Sequence, residues 1–272
     1  MSENTTVNRR DFLADAARKA GLAAMAAAAL ALPQSGAFAA ARHDDEDEYD
    51  FLMPRVKFQC DQTVTDTWNI TPGGDRNLLE ELSAVVRCKV KLPPVGNFDQ
   101  PYLGEDKHFN AVVDFDHFDD LRNYPFLLMT SEGHFHFSAQ QKANLKKYVE
   151  QGGFIFMDDC ILESGTDYFY QSAYKMLEET FGTGSVVKIP NSHEVFSNVH
   201  DLSKIGLPHV SGTNHGARGV FSGDRLAVFL SSTDIHCGWT DRPGRWYPKT
   251  GGHGYKQAIQ LGVNVIMYSL SH

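Results

Sequence analysis

The chain has 272 residues, of which 34 are acidic and 25 basic, giving a formal net charge of −9, and 42% of it is hydrophobic. That share supports a sizeable core in a folded domain. No basic stripe or Arg/Lys cluster is present, which excludes nucleic acid as a partner.

The first thirty-nine residues read as an export address rather than as part of the fold. Asn8-Arg9-Arg10-Asp11-Phe12-Leu13 carries the paired arginines of a twin-arginine signal, and an alanine-rich apolar stretch follows from Ala20 to Leu32. That stretch is shorter than the roughly 20 residues a membrane span needs, and Ala37-Phe38-Ala39 has the A-x-A form of a cleavage site. The expected mature chain starts at Ala40, has no transmembrane segment, and resides in the periplasm or outside the cell. The twin-arginine route carries folded proteins, and a cofactor loaded before export is one common reason for its use. Residues 40–54 contain the acidic run Arg42-His-Asp-Asp-Glu-Asp-Glu-Tyr-Asp50 and read as a solvated linker. Residues 55–272 then suit one α/β domain, with no internal repeat.

Arg55 to Cys60 alternates like a first strand. After the breaker cluster Thr71-Pro-Gly-Gly, Asp75 is a candidate N-cap, and Leu78, Leu79, Leu82, Val85 and Val86 share one helical face. Pro-Gly-Gly-Asp lacks both phosphate-loop spacings, and Asp75 would repel an anion. Cys88 to Pro93 is the expected second strand. Residues 94–123 are irregular and aromatic, with Val112 to His117 inside them.

Tyr124 to Thr130 is an apolar run with the character of a strand buried on both faces. Ser138 and Gln141 have the spacing of a capping box; Leu145, Tyr148 and Val149 give the helix after it an apolar face. Gly152-Gly153 ends that helix, and Phe154 to Met157 is a second buried strand running into Asp158, Asp159 and Cys160. This βαβ unit would set His134 and His136, after one strand, beside the Asp-Asp-Cys that closes the next, at the edge where open α/β sheets bind ligands. Asp167 is expected to cap a helix stopped by Gly182, Val186 to Pro190 to be a strand, and Gly219 to Leu230 a hairpin turning at Ser222-Gly-Asp. Ser231 to Trp246 reads as a loop, and Tyr255 to Leu270 as a closing helix apolar nearly all round.

The order Trp68-Asn69 with Asn77-Leu-Leu, Tyr124-Pro-Phe-Leu-Leu-Met-Thr, Gly133-His-Phe-His-Phe-Ser, Gly152-Gly-Phe, Asp158-Asp159, Ser192-His193, Gly223-Asp-Arg-Leu-Ala-Val and Leu261-Gly-Val-Asn-Val resembles the domain-of-unknown-function 4159 family. The resemblance spans residues 55–270. It implies an α/β, flavodoxin-like three-layer sandwich with a mostly parallel sheet, of the class I glutamine-amidotransferase-like type and distantly like the trehalose-utilisation ThuA-type proteins. It implies no reaction and no catalytic residue. True class I amidotransferases carry a Cys nucleophile on a tight G-x-C-x-G elbow. Here the corresponding Met157-Asp-Asp-Cys-Ile-Leu has neither glycine, and β-branched Ile161 follows Cys160, which argues against glutaminase chemistry.

In an extended segment, His134 and His136 at i and i+2 share a face and can reach one ion. Asp158 or Asp159, with His193 or His117, would complete a nitrogen and oxygen sphere suited to zinc, iron or manganese. The competing reading packs Phe135 and Phe137 inward and leaves both histidines to hydrogen bonds or solvent. Asp159 is the candidate general acid or base, its pKa raised by burial beside Asp158; both aspartates can instead be loop-closing carboxylates. Cys60, Cys88, Cys160 and Cys237 permit three complete pairings, with Cys160–Cys237 the first candidate and four buried thiols the alternative. Trp239, Trp246 and Tyr247 form either an aromatic recognition platform or a lid.

Two functions fit. One is a non-catalytic domain that binds a small ligand or a cell-envelope protein; the other is a metal-dependent hydrolase or isomerase acting on a small, sugar-like substrate at the sheet edge. The first is preferred, because no complete catalytic constellation can be read from the residues.

Overall fold

The computed structural model describes residues 49–86, 89–94, 103–161, 167–240 and 253–272. The export address, most of the acidic run, Cys88, Trp246 and Tyr247 lie outside these residues. In chain order, β1 (Pro54–Val56) leads to α1 (Pro72–Val86), β2 (Ala111–Val113), the single turn α2 (Phe118–Leu121) and β3 (Phe126–Ser131). Next come α3 (Ala139–Glu150), β4 (Phe154–Asp159), α4 (Tyr168–Phe181), β5 (Val187–Lys188), β6 (Arg218–Ser222) and β7 (Arg225–Ser231). The short α5 (Ile235–Thr240) and the long α6 (His253–Ser271) close the chain.

The βαβ unit forms as its sequence requires. Ser138 Oγ accepts from Gln141 N–H at 3.1 Å, and the Gln141 side chain accepts from Ser138 N–H at 2.9 Å, closing a reciprocal capping box. Gly152 leaves α3 at φ +98°, a left-handed backbone that a side chain would resist. The strand after it, β4, lies parallel to β3 in unbroken register from Phe126↔Phe154 to Ser131↔Asp159.

Seven strands make one sheet in the order β2-β1-β3-β4-β7-β6-β5. Strands β2, β1, β3, β4 and β7 run parallel, while β6 and β5 are antiparallel at one margin. The expected α/β architecture is therefore the one observed, with a mostly parallel sheet flanked by helices. The parallel run has the flavodoxin order, so its topological switch point lies between β1 and β3.

The two faces of the sheet build two cores. Alternate residues Phe126, Leu128, Phe154, Phe156 and Phe229 pack with α1, α5 and α6. Their neighbours Leu127, Met129, Ile155, Met157, Val228 and Leu230 pack with α3 and α4. Each of these fully buried side chains contributes about 1.5–3 kcal/mol. Helix α6 carries apolar residues on most sides because α1, α5 and the 3-10 turn at Glu194–Phe196 surround it as well as the sheet. No described helix is long and apolar enough to cross a membrane.

Three expectations need correction. The segment at Cys88 to Pro93 forms no strand among its described residues; Val90 makes one isolated bridge to Phe51, and the edge strand is β2, inside the stretch read as irregular. Asp75 does not cap α1. The helix begins three residues earlier at Pro72, whose fixed φ and missing N–H suit a first helical position, so Asp75 lies inside the first turn. The loop from Ser231 contains the helical turns of α5, too short to leave a periodic signal.

Candidate functional site

Strands β1, β3, β4 and β7 deliver their polar terminal residues to one edge. The deepest group is Arg55, fully buried in the middle of β1. Its guanidinium meets Asp75 in a two-pronged ion pair, with Nη2 to Oδ1 at 2.6 Å and Nε to Oδ2 at 2.9 Å. It also donates to Trp68 O at 2.7 Å and to Ile70 O at 3.1 Å, which pins the β1–α1 loop. Burial pushes the Asp75 carboxyl up, but Arg55 and His236 more than offset this and hold it below the ordinary carboxylate range.

Helix α5 locks onto this pair. His236 Nε2 stands 2.6 Å from Arg55 Nη2 and 3.3 Å from Asp75 Oδ1. Arg55 and Asp75 thus meet the ring at one nitrogen, Nε2. The approach needs a glycine at position 74, where a Cβ would sit 2.9 Å from Thr240 Cγ2 and 3.3 Å from His236 Nε2.

Asp158 and Asp159 part to opposite faces of β4, as strand alternation demands. Asp158 Oδ2 accepts from His236 N–H at 2.7 Å, on the face of α5. Asp159 Oδ2 accepts from Tyr170 N–H at 3.1 Å, on the face of α4. Burial pushes Asp158 up to about 7, against the opposing bond from His236 N–H. Burial likewise holds Asp159 well above the carboxylate range, and the charges of Asp158 and Asp167 add to it. Both aspartates are sealed from solvent.

Cys160 follows on β4 and meets Cys237 from α5 with Sγ to Sγ at 3.3 Å; Cys60, Cys160 and Cys237 are all free thiols. The pairing proposed from sequence is thus a contact without a bond. Cys160 also donates to Asp66 Oδ2 at 3.3 Å. The hydrogen bond shared with Cys160 holds Cys237 well below the ordinary thiol range despite burial, with His236 and Asp234 assisting, while Cys160 itself is pushed well up. Among the described non-glycine residues only Thr71 and Asp234 have positive φ, so Cys160 does not stand on a strained nucleophile elbow.

The two histidines of the H-x-H occupy the rim. Phe135 and Phe137 pack inward, as one of the two readings of this segment holds. His134 Nδ1 lies 3.0 Å from Ser172 Oγ, and its ring lies against Tyr168. The His136 side chain is 83% exposed and stands 2.6 Å from Asp61 Oδ1. Close by, Cys60 Sγ contacts Ser131 Oγ at 3.1 Å, joining the segment after β1 to the end of β3. His117 stands 2.8 Å from Asp114 Oδ1 on the exposed loop after β2. His193 lies at the opposite end of the sheet: its ring contacts Phe221 and Tyr268, and Tyr268 Oη accepts from Leu226 N–H at the start of β7.

Among the described residues, one group of three His, Cys, Asp or Glu side chains has ligand atoms within 4.8 Å of one another: Cys160, Asp234 and Cys237. His134, His136, Asp158, Asp159 and His193 form no such group. Trp239 does not serve a recognition platform, because it is fully buried with Nε1 donating to Ala258 O at 3.0 Å.

Fold and edge together define an α/β domain of switch-point architecture whose carboxyl edge is a polar cluster sealed below and histidine-rimmed above. The chain belongs to the family described as domain of unknown function DUF4159, which it matches over residues 54–270. No curated protein matches it.

Proposed function

We propose that this protein is exported by the twin-arginine route and serves as a binding domain of the cell envelope. In this reading it takes a small ligand or a segment of a partner protein at the β1/β3 crevice, and its fold is akin to that of class I glutamine amidotransferases without their glutaminase chemistry. The observation that carries the reading is the division of polar groups at the edge. The groups suited to catalysis are sealed from solvent: Asp158 and Asp159 each hold a backbone N–H through one oxygen, and the Cys160 thiol faces Asp66. The exposed pair, His136 and Asp61, is of the kind that recognises a ligand by hydrogen bonds.

A second reading, a hydrolase or isomerase at the same edge, draws support from one observation: the raised carboxyls of Asp158 and Asp159 suit a proton donor working near neutral pH. With His134, His136, Asp158, Asp159 and His193 as its metal set, that reading needs groups from both ends of the sheet. Incubation of the purified protein with chromogenic glycosides, esters and phosphoesters, alone and with added Zn2+, Mn2+ or Fe2+, distinguishes the two. Binding without catalysis predicts no product above the buffer rate. Turnover that disappears in Asp159→Asn would overturn it.

A further inference from the structure

The turn from β7 into α5 holds a cluster that the binding reading leaves unused. Cys160 arrives from the end of β4, Asp234 from the turn and Cys237 from the first turn of α5, all three buried. Asp234 adopts φ +59°, a left-handed backbone unusual for a residue with a side chain, and it does so where its carboxylate joins the two sulfurs. A second carboxylate, Asp66 Oδ2, stands 3.3 Å from Cys160 Sγ.

We propose that Cys160, Asp234 and Cys237 form a binding site for a zinc-class divalent ion, with a water molecule or a fourth donor completing a tetrahedron. Two thiolates and one carboxylate suit this borderline-soft metal far better than magnesium or calcium. The thiols stand at 3.3 Å. Zinc–sulfur bonds of about 2.3 Å in a tetrahedron set sulfurs about 3.8 Å apart, so binding asks them to separate by about half an ångström. Each thiol gives up its proton as the metal enters.

His236 supplies an independent pointer. Its Nδ1 is buried and has no well-aligned hydrogen-bond partner, while its polar neighbour is Cys237. With Nε2 held by Arg55 and Asp75, Nδ1 is the ring nitrogen left to support a metal-bound Cys237 sulfur from the outer shell. Arg55, Asp75 and His236 are then the frame that orients a ligand.

The inference does not depend on ligand binding at the rim, and its test uses no activity. The full chain, purified under reducing conditions and stripped of metal, is titrated with Co2+ and then with Zn2+. The expected result is a thiolate-to-cobalt charge-transfer band saturating at one equivalent and bleached by zinc. The band should be lost in Cys237→Ser. In Asp234→Asn it should persist with affinity weakened by about 10–100-fold or more, the loss produced even by outer-shell changes. The wild-type titration stands alone should either variant fail to fold. No band in the reduced wild-type protein would overturn the proposal, as would peptide mapping of the natively exported protein that finds Cys160 and Cys237 joined as a disulfide.

Discussion

Replacing Asp75 by Asn keeps the shape of the side chain and removes the one carboxylate bonded to Arg55 among the described residues. In the native protein two charge-assisted bonds of 2.6 and 2.9 Å join the pair, and both side chains are essentially inaccessible. In the variant, Arg55 keeps Trp68 O and Ile70 O, but its charge remains buried without compensation. Breaking a buried pair in this way costs about 3–5 kcal/mol, a large part of the roughly 5–15 kcal/mol that a domain of this kind has in total. Urea unfolding followed by tryptophan fluorescence reads the loss as a shifted midpoint at unchanged slope. The double variant Arg55→Met/Asp75→Leu should recover much of it, since no charge is then left unpaired. The dependence on pH has a definite sign. The folded carboxyl lies below its unfolded value, so the pair stabilises fully above the unfolded pKa of about 3.9 and the contribution is lost as pH falls through the folded one. The wild type should therefore lose its advantage over Asp75→Asn in acid. A loss of less than about 1 kcal/mol at neutral pH would refute the claim that this pair organises the β1–α1 junction.

Asp158→Asn should act in the opposite sense. The wild-type carboxyl, raised to about 7 when folded against about 3.9 unfolded, favours unfolding increasingly between those values and fully above them. The variant should thus flatten a decline worth about 4 kcal/mol between pH 4 and 7, visible in urea midpoints measured across that range. Ser138→Ala removes the cap of α3 at an exposed site and should cost about 1 kcal/mol in the same assay. Gly153→Ala would bring a Cβ within 2.3 Å of the Tyr148 ring, which is held by its hydroxyl on Tyr124 O, and should cost about 1–3 kcal/mol. His136→Ala, at a side chain 83% exposed, should leave the unfolding midpoint unchanged within error.

The sequence disclosed the elements whose signals are local. The Ser138–Gln141 box, the glycine stop at Gly152 and the two apolar runs defined the β3–α3–β4 unit. The site's interior was legible only in part, because its partners are brought together by tertiary packing. Arg55 and Asp75 lie 20 residues apart, and Arg55 and His236 lie 181 apart, so no window of sequence contains the cluster. Asp167 occupies the expected cap position of α4, yet its carboxylate accepts no bond there; it turns to His215 Nε2 at 2.8 Å instead. The contact of Cys160 with Cys237 was accessible, since both follow strands that the parallel order makes neighbours. Residues 231–240 hid their helix because six residues give too little periodicity to read.

The binding account is tested most directly by one thermal-shift panel of mono- and oligosaccharides, small carboxylates and short peptides, run on the wild type, His136→Ala/Asp61→Ala and Asp159→Asn. A ligand at a hundred times its Kd stabilises by about 2.7 kcal/mol, which raises the Tm of a domain this size by about 5–10 °C. The account predicts a compound that shifts the wild type and Asp159→Asn alike and leaves the His136→Ala/Asp61→Ala variant unmoved. A compound whose shift survives in that double variant and disappears in Asp159→Asn would contradict it, and would move the ligand from the rim to the buried acids below.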